Sequence, residues 1–308
     1  MKVFVAGATG VLGRRTVSLL VAQGHEVSAL ARSDARAALL GDLGARPVRA
    51  DLFDPASTRS AVAGHEAVCN LATHIPPSLR MAVPGAWAEN DRIRTEASRN
   101  LVDAALAGGA QRYVQESIAF LYRDGGDQWI DESSPLDPVA VLRSATVAES
   151  HAARVTAAGA TGVVLRFAAF YGPDSGSTLD MIRLARRRIA LGAGPDGYVS
   201  SLTTDDAAAA VLSSLSAPAG IYNVGDDEPL TRREFFAALA GALGVAPPFV
   251  APAGLVKLGG PKTAALVRSQ RVSNRRFVDA TGWKPTSPSV RLGWPKVVAA
   301  VRDASGDS

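Results

Sequence analysis

The first fourteen residues constrain this chain more than any other stretch. Lys2-Val3-Phe4-Val5-Ala6 is a short apolar run rich in β-formers. Gly7-Ala8-Thr9-Gly10-Val11-Leu12-Gly13 follows at once, and a helix-compatible stretch runs from Arg14 to Gln23. Strand, glycine turn and helix in that order are the context a phosphate-binding turn requires. Gly7 permits the tight turn, Gly10 leaves the backbone open to a pyrophosphate, and Gly13 lets helix and strand pack closely. The helix N-terminus directs free N–H groups and a partial positive charge at the phosphates. The stretch predicts a dinucleotide site built from Gly7, Thr9, Gly10, Val11, Leu12, Gly13 and Arg14.

Downstream, short apolar runs alternate with helix-compatible segments. Strands are expected at Glu26 to Ala31, Arg46 to Ala50, Glu66 to Leu71, Gln111 to Ser117 and Thr161 to Phe167. Helices are expected at about Ala86 to Leu106 and Ala140 to Ala158, with Gly108-Gly109 stopping the first. This alternation predicts an α/β chain of Rossmann type, a doubly wound parallel sheet whose strand C-termini form the ligand edge. Asp51, Leu52, Leu71, Ala72 and Thr73 then fall beside the cofactor by topology. An acidic residue at the end of the second strand binds ribose hydroxyls, whereas arginine accommodates a 2′-phosphate. Here Ala31-Arg32-Ser33 stands there, with Arg14 and Arg36 near. Arginine suits bidentate phosphate contact, so NADP(H) is preferred and NAD(H) stays open.

Beyond Pro173 the alternation loosens. Leu179 to Ile189 reads as a basic helix, Thr204-Asp205-Asp206 opens an alanine-rich one, and Ile221 to Val224 is a short strand. Thr231-Arg232-Arg233-Glu234 is a capping box before an apolar helix. The expected organisation is a nucleotide-binding domain over residues 1–173, with returning segments near 200–225. Residues 174–308 then form mainly a smaller α/β substrate-binding lid. Phe235 to Val256 is apolar, but glycines and prolines interrupt it, so a helix followed by a loop fits better than a membrane span.

Of the 308 residues, 47% are hydrophobic and 20% charged, an ordinary globular balance. The net charge of +4 comes from scattered arginines, which gives no footprint for nucleic acid. One cysteine, Cys69, excludes an intrachain disulfide and a cysteine metal cluster, and the four histidines lack ligand spacing. No metal is expected, and a reducing cytoplasm is the simplest compartment. The start of the chain lacks the features of a signal peptide.

Taken together, Gly7-x-x-Gly10-x-x-Gly13, Asp51-Leu52, Asn70-Leu71-Ala72, Arg99-Asn100-Leu101, Arg166 before Tyr171-Gly172-Pro173, Asp205-Asp206 and Tyr222-Asn223-Val224 carry a resemblance. Over nearly its whole length the chain resembles the extended short-chain dehydrogenase/reductases, the group of NAD-dependent epimerases and dehydratases. The resemblance implies that Phe167, Ala168 and Ala169 wall the nicotinamide. It also implies a catalytic Ser or Thr after the fifth strand and a Tyr-x-x-x-Lys on the next helix. This chain departs from that pattern. Val141 and Ala145 stand at the Tyr and Lys positions, and no lysine occurs between residues 3 and 256.

Nicotinamide chemistry survives the loss, because the protein mainly holds donor and acceptor together. A missing general acid costs about 10²–10⁴-fold. Substitute proton donors are Ser117, Tyr122, Tyr171 and His74. Each has a bland alternative, as a strand-end hydroxyl, a packing tyrosine or a surface histidine. The sequence reads best as an atypical NADPH-dependent ketoreductase acting on a bulky, aromatic polyketide-like or similar small molecule. An epimerase or dehydratase with relocated acid and base, and a non-catalytic dinucleotide sensor, remain as alternatives. A small-molecule substrate is expected, without nucleic acid or membrane, in a monomer or homodimer.

Overall fold

The computed structural model describes residues 1–77, 80, 83, 85–254 and 267–305. Pro84 and Val256, the end of the expected 235–256 helix and loop, lie outside the described residues.

Apolar alternation is absent from the leading strand because both of its faces are covered, as expected for a parallel sheet. Val3 to Ala6 are all buried in β1 (Lys2–Ala6). The chain continues through α1 (Val11–Ala22), β2 (Glu26–Leu30), α2 (Asp34–Asp42), β3 (Arg46–Val48), α3 (Pro55–Val62) and β4 (Ala67–Asn70). β1 has the expected bounds, and β2, β3 and β4 run one to two residues shorter than the sequence predicts.

The long helix expected from Ala86 is divided. It starts as α4 (Ala88–Arg92), passes a π-helical turn at Ile93–Ala97, and continues as α5 (Ser98–Ala107). Next come β5 (Arg112–Ile118), the short β6 (Trp129–Ile130), α6 (Arg143–Ala157), β7 (Thr161–Phe167) and β8 (Ala169–Tyr171). The expected start of α6 at Ala140 is a separate 3-10 turn.

Seven parallel strands form the central sheet in the order β3, β2, β1, β4, β5, β7, and then β12 (Gly220–Val224). The expected returning strand thus completes the sheet beside β7. Cys69 lies on β4 at the centre of this sheet, fully buried.

The remaining elements are α7 (Gly176–Arg186), β9 (Ile189–Ala193), β10 (Tyr198–Val199), β11 (Ser201–Thr203), α8 (Thr204–Ser214), β13 (Leu230–Thr231), α9 (Arg232–Leu243), β14 (Phe249–Ala251), β15 (Arg271–Val272), α10 (Arg275–Thr281) and α11 (Val290–Ser305). The basic helix begins and ends three residues earlier than predicted, and Ile189 opens β9 instead. The capping box before α9 is present, with Thr231 and Glu234 bonding reciprocally. That helix stops at Gly244, whose left-handed backbone glycine adopts without strain. The expected loop follows at residues 245–248 and leads into the short strand β14. Phe235, Phe236, Ile182, Tyr171 and Trp294 form a second core that joins α7, α9 and α11. Trp294 is its largest fully buried side chain.

Candidate active site

The glycine turn is shaped by contact on one side and by open space on the other. A Cβ at Gly7 would overlap the Leu71 carbonyl, and one at Gly13 would overlap the Gly7 carbonyl. At Gly10 the nearest atom would be the Gly7 oxygen, at 3.4 Å, so this residue faces outward. Helices α2, α3, α8 and α9 are capped by Ser33, Asp54, Thr203 and Thr231. In contrast, α1 has no side-chain cap and no acidic residue in its first turn. Its orphan N–H groups face the ligand edge, and they suit an anion. The residues present fit a dinucleotide pyrophosphate.

Around the adenosine end, Arg36 donates to Thr9 Oγ1 at 2.5 Å. Arg32 projects from the end of β2, and its side chain is 66% exposed. It reaches Glu89 of α4 at 3.5 Å, and His74 Nε2 lies 3.6 Å from the other oxygen of Glu89. Asp51 is exposed and caps its own turn through Phe53 N, while Leu52 is buried and its carbonyl accepts from Asn100 Nδ2. Leu71, Ala72 and Thr73 follow β4, where Asn70 Oδ1 accepts from Ala72 N. Arg14 turns away from the glycine turn to Asp174, which also receives Arg15 at 2.8 Å.

The hydroxyls expected to serve the nicotinamide are committed elsewhere. Ser117 is fully buried and donates to Glu149 Oε1 at 2.6 Å. Glu149 is clasped by Arg166 at 2.8 and 2.6 Å. Arg166 also donates to Tyr122 Oη at 2.9 Å, and that hydroxyl donates to Asn223 Oδ1 at 2.8 Å. The result is one buried network that ties β5, α6, β7 and β12 together. Burial opposes the Arg166 charge, yet the hydrogen bonds and charge of Glu149 hold its pKa above the ordinary value. Burial likewise pushes Tyr122 up, against the pull of Arg166.

Tyr122 therefore sits in the frame, with no exposed face to give a proton from. Tyr171 is also buried, stacked on Trp294 in the second core at a centroid distance of 4.8 Å, and burial raises its pKa. His74 alone among the four expected donors is exposed, on the loop after β4. Phe167 and Ala168 are buried and Ala169 is half-buried at the end of β7. Val141 is exposed and Ala145 is buried on the 140–157 stretch.

Residues 7–218 match the family model described as NAD(P)H-binding. The chain belongs to this family. It is an NAD(P)-dependent oxidoreductase. Among curated relatives, a 3-diazoavenalumate denitrifying reductase from a Streptomyces species is 38% identical over 306 residues, covering 95% of this chain and 99% of its own length. A 4-hydroxy-2-methyl-3-oxo-4-farnesyl-3,4-dihydroquinoline-1-oxide ketoreductase from Stigmatella aurantiaca is 29% identical, covering 90% of this chain and 85% of its own. The solved structure of human epimerase family protein SDR39U1 with NADPH superposes with a TM-score of 0.75 at 22% identity, over 97% of this chain and 99% of that one. For the dTDP-glucose 4,6-dehydratase DesIV of Streptomyces venezuelae with NAD the TM-score is 0.81 at 22% identity, over 99% and 98%. These two structures share the fold.

Several buried polar residues around these strand ends escape a reading of sequence. Asn90 on α4 is buried, and its Oδ1 accepts from His74 N at 3.0 Å, which shapes the loop after β4. Arg94 in the π-helical turn makes a buried bidentate pair with Glu116. Burial raises the pKa of Glu116 although Arg94 opposes the shift. Glu116 is thus a strand-end ion-pair partner. Among the described residues no group of three His, Cys, Asp or Glu is arranged to hold a metal, and no helix is long and apolar enough to cross a membrane.

Proposed function

We propose that this protein is an NADPH-dependent reductase of a bulky aromatic small molecule, and that its hydride acceptor is an arene diazo group. The observation that carries this reading is the fate of the expected proton donors. Val141 and Ala145 replace the Tyr and Lys, and Ser117 and Tyr122 are consumed by the Glu149–Arg166 pair. Bound NADPH supplies a hydride; one hydride replaces N2 on an arene diazonium and consumes no outside proton, whereas a ketone takes a hydride and a proton. The full-length similarity to the denitrifying reductase supports the same acceptor.

In this reading the α1 N-terminus holds the pyrophosphate, and Arg32 and Arg36 hold the 2′-phosphate. Phe167, Ala168 and Ala169 wall the nicotinamide, and residues 174–308 cover the substrate. A second reading, carbonyl reduction, is favoured by the ketoreductase relative. There the proton comes from water, from His74 or from a hydroxyl of the substrate.

Titration of the purified protein with NADPH and NADH, wild type beside Arg32→Ala, tests the cofactor. NADPH preference that Arg32→Ala erases is expected, and equal binding by the wild type overturns it. A panel of arene diazo compounds and aryl ketones, followed by NADPH consumption and N2 release, tests the acceptor. Turnover of ketones alone selects the second reading; turnover of neither rejects both.

A further inference from the structure

Ala168, assigned to the nicotinamide wall, also lines a recess that opens toward the lid. Ala119 and Phe120 after β5 and Tyr198 and Val272 on the lid side give it apolar walls. Two guanidinium groups, Arg232 and Arg268, form its polar end. Arg268 is already neutralised by Asp137 at 2.5 Å. Arg232 is not. It is 8% exposed, and its N–H groups go to the carbonyls of Gly194 at 3.3 Å, Val267 at 3.4 Å and Arg268.

Carbonyls take bonds from Nη1 and Nη2 but leave the charge in place, and a buried charge is costly without a counter-charge. Among the described residues no carboxylate pairs with Arg232. Asp124 is the acid whose charge reaches it, and its Oδ1 is occupied by Gly126 N and Ser269 N. The backbone makes way for this side chain, since a Cβ at Gly197 would overlap its Nη1.

We propose that Arg232 anchors a carboxylate of the substrate, so that the enzyme takes an aromatic acid held by its acid group at the lid end of the recess. The ring then lies between Phe120 and Tyr198 on the way to Ala168. A single unpaired guanidinium fits a monoanion better than a phosphate ester, because Arg268 is already matched. The inference rests on the reductase reading for where the ring points, and the anion site stands on its own observations.

The test is calorimetric titration of trans-cinnamate and of cinnamamide into the full-length protein saturated with NADP+, for the wild type, Arg232→Gln and Arg232→Lys. The wild type is expected to bind the acid at least about ten-fold more tightly than the amide. Arg232→Gln should reduce the acid to the level of the amide, Arg232→Lys should restore part of the difference, and NADPH affinity should stay unchanged. Equal binding of acid and amide by the wild type, binding of neither, or a full acid advantage in Arg232→Gln overturns the proposal. If Arg232→Gln does not fold, the wild-type comparison decides alone. Turnover is not read here. A protein that binds cinnamate but reduces nothing therefore fails the reductase reading only, and one that oxidises NADPH yet ignores the carboxylate fails this one only.

Discussion

Ser117, a candidate catalytic hydroxyl near the end of β5, points its proton at Glu149. Ser117→Ala should cost about 1 kcal/mol of stability and less than about ten-fold in turnover, where loss of a general acid costs about 10²–10⁴-fold. Denaturant unfolding and initial rates on the same preparation check both. Glu149→Gln should be far worse, about 3–5 kcal/mol, because it leaves Arg166 buried without its partner. Asp226 presents the opposite case. It is 2% exposed and neither of its carboxyl oxygens has a partner. Burial first, then Asp227 and Glu228, raise its pKa well above the ordinary value. A folded pKa above the unfolded one contributes stability at low pH that is lost as pH rises through the folded value. Asp226→Asn should therefore melt higher than wild type at about pH 8, with the gap narrowing toward about pH 4. A gap that widens on acidification would contradict the assignment.

At the scale of elements, the glycine turn separates fold from ligand. Gly13→Ala should lose both stability and dinucleotide binding, since its Cβ has no room against Gly7. Gly10→Ala should keep the wild-type melting temperature and weaken NADPH, because its Cβ makes a single contact, with the Gly7 oxygen at 3.4 Å, on the side where the phosphates belong. Thr231→Ala removes one half of the capping box of α9 and should cost about 1 kcal/mol.

Strands β1 to β5 and β7 were legible in sequence because each apolar run is bounded by turn residues, and so was the capping box; β6, two residues long, carries no such run. The division of the 88–107 helix was not legible, since a single π-turn leaves apolar spacing almost intact. The orientation of Ser117 was hidden for a related reason. Glu116 and Ser117 are both buried on a strand covered on each side, so no alternation tells which face looks inward. Glu149 and Arg166 were each visible, but only the packing of α6 on β7 brings them together.

Across the whole molecule, the central sheet and the elements after β8 are joined by charge and by core. Arg15 bridges Asp174 and Asp205 at 2.8 and 2.6 Å, linking α1 to the loop after β8 and to α8. Exposed pairs of this kind contribute little each. The second core contributes more. Trp294→Ala should cost about 3–5 kcal/mol, read as a lower unfolding midpoint, because Trp294 packs against both Tyr171 and Phe235. The position of Cys69 has a practical side. It is the chain's one cysteine, and burial pushes its thiol up to about 12. The reactive species toward maleimides is the thiolate, so the native protein carries a silent background. A cysteine placed at Phe249, which is 74% exposed on the lid, and a second at exposed Ile75 would take a dye pair directly. Energy transfer between the two dyes would then track the lid in single molecules as nucleotide is added.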